Sequence, residues 1–145
     1  GKYEQAYRLN LQNLKLTISA NVMLSFLIFL LAEPLLGCFT SDPQIISMGR
    51  HLMLIDILVE IGRGFNHVEE NSLRGAGDVI YPMAVSMISC WTMSILFSYI
   101  LGIRMGLGLT GCWIAFAMDE FFRGTAYLIR WRSRKWTTKT VAVHV

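Results

Sequence analysis

Charge is what this sequence has least of. Charged residues make up 16% of its 145 positions, against about 25% in soluble globular domains. None falls between Ile18 and Leu31 or between Val79 and Ile103. A soluble fold needs charge spread over its surface, so this segregation points to lipid. Cysteine is scarce as well: Cys38, Cys90 and Cys112 are an odd number without C-x-x-C spacing. That argues against a disulfide framework or a thiolate metal site, and the apolar runs around them predict buried thiols. No low-complexity segment or solenoid repeat is visible. The chain does not open with a basic segment, a short apolar stretch and a small-residue cleavage site, and it begins with Gly1, which leads us to expect a piece of a longer protein.

The net charge of +3 could suggest a nucleic-acid partner, but the basic residues gather at Arg130, Arg132, Arg134, Lys135 and Lys139, directly after an apolar run. Such clusters mark the cytoplasmic flank of a membrane span, and Trp131 and Trp136 suit the headgroup interface. Nucleic-acid binding is therefore excluded.

The fold class expected is all-α, a polytopic membrane protein of about four transmembrane helices in a single membrane domain over residues 1–145. Tyr3, Tyr7, Leu11, Leu14 and Ile18 are spaced as one helical face and predict an interfacial helix leading inward. Spans follow over about 16–39, 44–68, 79–103 and 106–130, each long enough for a hydrocarbon core that takes about 20 apolar residues. A basic cytoplasmic tail, 131–145, follows the last. Thr40 to Pro43 form a polar turn suited to capping the second span. Glu69 to Asp78 read as a loop that reverses at Gly75 and Gly77. Lys and Arg positions near the span ends put both termini on the cytoplasmic side.

Gly106, Gly108 and Gly111 spell G-x-G-x-x-G, but a dinucleotide site requires a preceding strand and a soluble βαβ unit. A glycine-permitted turn between two spans is the reading that fits. The serines, cysteines and histidines match no nucleophile or metal-ligand signature, so the chain is not read as an enzyme and no metal is expected. Six aromatics, Phe65, Trp91, Tyr99, Trp113, Phe116 and Phe121, could line a pocket for flat cations or simply pack.

Charge inside the spans asks for a reason, because a charged group at the bilayer centre costs about 2.5–3.5 kcal/mol on insertion scales. On the second span Asp56, Glu60, Arg63 and His67 share one face. On the fourth, Asp119 and Arg123 are four apart and Glu120 and Arg123 three apart, so ion pairs within the helix are available. Two readings stand: structural pairs, or carboxylates that bind a proton or cation during transport.

Four stretches carry a resemblance: Phe39 to Ile46 (FTSDPQII), Glu60 to Val68 (EIGRGFNHV), Glu70 to Met83 (ENSLRGAGDVIYPM) and Gly108 to Trp136. In this order and spacing they resemble the C-terminal four helices of the multidrug and toxic compound extrusion (MATE) transporters. The resemblance implies the C-terminal part of the second six-helix lobe of a twelve-helix antiporter. Such a protein exports drugs or toxic organic cations in exchange for protons or sodium ions, without any other cofactor. The partners implied are the lipid bilayer, small organic cations or aromatic drugs, and the remainder of the transporter, with its N-terminal lobe and two further helices. Glu60 and Asp119 are then the first candidates for ion coupling, Arg63, Glu120 and Arg123 their electrostatic partners, and Asn66 a polar cavity contact. Some members carry a cation-coordinating acid on the tenth helix; its position falls near Arg63 here, while Glu60, Arg63 and Asn66 fit a different pattern, E-x-G-R-x-x-N. The alternative is a stand-alone small oligomeric membrane protein, a channel or assembly partner, or an inactive remnant.

Overall fold

The computed structural model describes residues 2–138. Over these the chain is helical, with no strand. Helix α1 (Lys2–Leu30) runs without interruption, so the expected interfacial lead-in and the first span are one element. The helix breaks at Leu31 and resumes as the short α2 (Ala32–Gly37), which ends the first long helix well before residue 39. Pro34 accounts for the break, because it has no amide for the carbonyl of Leu30 and its ring crowds that position.

Helix α3 (Pro43–Gly75) starts as its sequence demands, with Asp42 accepting from the Gln44 amide at 2.8 Å and Pro43 in the first turn. It does not end at residue 68. The segment expected as a loop from Glu69 continues the helix to Gly75, because Glu69 and Leu73 are buried against neighbouring elements. The reversal is confined to Ala76–Val79, where Gly77 takes a φ of 86° and the Asp78 amide bonds the Leu73 carbonyl at 2.9 Å.

Helix α4 begins as Ile80–Ser89 and continues through two π-helical stretches, Cys90–Leu96 and Tyr99–Arg104. After a turn in which Gly106 and Gly108 have φ of 73° and 55°, α5 (Gly108–Arg132) crosses back. Gly111 of α5 lies so close to α4 that a Cβ there would come within 2.6 Å of the Leu101 carbonyl carbon. Small residues that let two backbones approach are typical of helix contacts in membranes. A short 3₁₀ turn, Lys135–Thr138, closes the described part.

In space α3 is the central helix, packed on α1 along one side and on α5 along the other, with α4 against the far side of α5. The start of α1 and the ends of α3 and α5 meet in one cluster of Leu73, Tyr127, Trp131 and Trp136, with Tyr7 and Tyr81 beside it. Trp131 and Trp136 stack at 4.3 Å between centroids.

The distribution of polarity is inverted relative to a water-soluble fold. Asn66, Glu69, Asp78, Ser89, Asp119 and Glu120 are buried, whereas Leu16, Met23, Ile80 and Ile103 are each at least 70% exposed. Polar groups turned to the protein and large apolar side chains turned outward are what a bilayer selects. Two helices, Glu4–Leu30 and Ile80–Arg104, have mean hydropathies of 1.6 and 1.7 over their most apolar windows, long and apolar enough to cross. Helices α3 and α5, with 33 and 25 residues, have the length but carry the charged residues. The buried thiols expected from sequence are not found: Cys38 and Cys90 are exposed on this chain and Cys112 is half-buried, all three free.

Candidate functional site

The charged residues of α3 and α5 meet. Their meeting depends on Gly62, whose missing side chain leaves room for α5: a Cβ there would lie 2.9 Å from Glu120 Cβ and 3.2 Å from the Phe121 ring. One further contact seals the crossing, as Gly124 of α5 accepts the Phe65 ring where any Cβ would overlap it.

Across this close approach Asn66 Nδ2 donates to Glu120 Oε2 at 2.6 Å. Arg123 Nη2 donates to Asp119 Oδ2 at 2.6 Å and lies 3.2 Å from Glu120 Oε1. Arg63 pairs with Glu60 on its own helix and places Nε 3.9 Å from Glu120 Oε1. The pairs anticipated within each helix are therefore present, and Glu120 joins them into one network of three carboxylates and two guanidiniums.

Sequence reasoning missed the residues that bind this network to the outer helices. Asn21 of α1 donates to the Glu60 carboxylate and to the Glu60 backbone carbonyl, each at 3.2 Å. Ser89, fully buried on α4, donates to Asp119. Asn21 was a readable signal, an amide inside an otherwise apolar span; Ser89 was not, since serine recurs along α4 and nothing in the sequence singles this one out.

Asp56, expected on the same face as Glu60, turns to α5 and accepts from Trp113 Nε1 at 3.0 Å. His67, the fourth member of that face, is exposed and outside the network. A cavity of about 160 Å³ opens between α1 and α3, lined among others by Asn21, Ser25, Met53, Asp56 and Glu60. It is the point where the half-buried Glu60 meets accessible space.

The six aromatics are divided among several places. Phe65 and Phe121 pack at the α3–α5 glycines, Trp113 and Phe116 form an edge-to-face pair, and Trp91 and Tyr99 lie exposed on α4. No group of three or more metal-ligating side chains gathers among the described residues.

Comparison with known proteins gives a consistent picture. The family model described as MatE matches residues 1–100. The chain is 38% identical to an uncharacterized transporter, YisQ, of Bacillus subtilis (strain 168) over 141 residues, which cover 97% of this chain and 31% of that protein. It is 34% identical to a protein named "Probable multidrug resistance protein NorM" of Thermotoga maritima over 126 residues, covering 87% of this chain and 27% of the relative. A protein of the same name in Bacillus subtilis (strain 168) is 26% identical over 129 residues, covering 84% and 28%. The chain thus spans about a third of the length of the curated relatives it matches. No solved structure matches it at a significant level.

Proposed function

Because this chain belongs to the MatE family, and so to the membrane transporters, we propose that it forms the C-terminal part of the second six-helix lobe of an antiporter exporting drugs or organic cations in exchange for protons or sodium ions. In this reading the network of α3 and α5 is the ion-coupling element. The observation that carries it is a charge imbalance: among the described residues, Glu60, Asp119 and Glu120 pair only with Arg63 and Arg123. One negative charge is left over where charge is costly. A proton, a sodium ion or a cationic substrate would neutralise it, and midplane sites of this kind are common in secondary transporters.

Within the network the groups differ in what they can do. Asp119 is held by Arg123 and Ser89, whereas Glu60 reaches the α1–α3 cavity. Glu60 is thus the entry for an exchangeable cation, and Asp119 and Glu120 are the carboxylates among which charge redistributes. Membrane location, multi-pass with both ends cytoplasmic, completes the reading. The rest of the transporter, an N-terminal lobe and two helices, would supply the other wall of the substrate path.

The test is gradient-driven efflux of a fluorescent cation by the full-length protein carrying Glu60→Gln and, separately, Asp119→Asn. Coupling by this network predicts that at least one variant loses dependence on the ion gradient, with export falling about tenfold or more. Full gradient-dependent export in both would remove the network from coupling.

A further inference from the structure

A second buried carboxylate lies outside the network. Glu69 is nine residues beyond Glu60 on α3, about 13 Å along the helix and one residue past the expected span. It has no exposed surface. Both its oxygens take hydrogen bonds from a single donor group, Asn10 Nδ2 of α1, at 3.2 Å each, and Ser72 Oγ donates to Asn10 Oδ1 at 3.0 Å.

What sets Glu69 apart is the absence of a cation. The other carboxylates buried to this degree, Asp78, Asp119 and Glu120, each contact an arginine. No basic side chain among the described residues lies within ion-pair distance of Glu69. The charges on the elements packed around it are engaged or remote. Arg74 pairs with Glu70 on the next turn of α3, Arg130 of α5 with Asp78, and Arg134 with Glu4 of α1. Arg8 of α1 is exposed, and Arg132 of α5 acts on Glu69 only from beyond contact.

A carboxylate buried with one amide for company is far costlier than the neutral acid. The surroundings of Glu69 thus offer it no contacting cation among the described residues.

We propose that Glu69 is a proton-binding site, carried as the neutral acid at physiological pH because it is buried without a contacting cation, at the point where Asn10 joins α1 to α3. Loss of the proton would leave a buried anion that only the Asn10 N–H contacts. The proposal does not rest on the antiport reading, since it concerns a group that the coupling network does not touch.

The experiment is infrared difference spectroscopy of the full-length protein in lipid, comparing the carbonyl-stretch region of protonated carboxylic acids between wild type and Glu69→Gln at neutral pH. The expected result is loss of one protonated-acid band in Glu69→Gln. An unchanged band region overturns the proposal. Should Glu69→Gln fail to accumulate, Glu69→Asp decides: a protonated-acid band displaced in frequency supports the site, and identical spectra overturn it.

Discussion

At Glu120 one amide donor and two guanidiniums converge on two oxygen atoms, Asn66 at one and the two arginines at the other. The i,i+3 and i,i+4 pairs around it were legible in the sequence because a single helix fixes which side chains share a face. The link from Glu120 to Asn66 and Arg63 was not, because it depends on how two helices are placed against each other. Removing one partner of a buried charge network leaves the others uncompensated, at a cost of about 3–5 kcal/mol. Glu120→Ala should therefore lower the thermal stability of the purified transporter clearly, while Glu120→Gln, which keeps the acceptor for Asn66, should lower it less. Arg123→Lys is expected to behave as a loss rather than a conservative change, since the one Nη2 atom that reaches both Asp119 and Glu120 sits at the end of a longer, planar side chain whose position a lysine ammonium does not reproduce. Melting curves of the three variants in one detergent check the order; equal stability of Arg123→Lys and wild type would count against the shared guanidinium.

The elements were legible to the extent that hydropathy and caps define them. The Asp42–Pro43 start of α3 and the apolar run of α4 both appear where the sequence places them. Two features were hidden for physical reasons. The polar residues from Glu69 to Arg74 look like a loop, yet α3 carries them as helix because Glu69 is received by Asn10 of α1, a partner 59 residues away. The break at Leu31 comes from Pro34 acting one turn back, on a run whose hydropathy is unbroken. The α3–α5 contact makes an element-scale prediction. A side chain at Gly62 must push α5 away from Glu120 and Phe121, and overpacking of this kind costs about 1–3 kcal/mol. Gly62→Leu should thus reduce export by separating Asn66 from Glu120 without altering any charged residue, whereas Gly75→Ala, in open space, should leave export unchanged. Efflux rates normalised to the amount of protein in the membrane make the comparison; a fully active Gly62→Leu would mean that the close crossing is dispensable.

For the whole molecule, the question is which end faces the cytoplasm. Tyr7, Leu73, Trp131 and Trp136 gather at one end, and the basic side chains Arg74, Arg130, Arg132 and Arg134 belong to the same ends of α3 and α5. The opposite end holds the Gly37–Asp42 connection and the turn at Gly106, with Arg50 and Arg104 as its nearby basic residues. An excess of arginine on one side sets orientation through the positive-inside rule, and the pairing of the ends makes the rule apply to α3 and α5 at once. Cys38, exposed in the connection after α2, should therefore react with a membrane-impermeant thiol reagent added outside intact cells. In a protein whose other cysteines are replaced, Ser133→Cys, exposed at the basic end, should react only after the membrane is opened. Labelling of Ser133→Cys from outside, with Cys38 protected, would invert the topology. It would also place Glu69 on the external side, where the pH that controls its proton is that of the medium rather than of the cell.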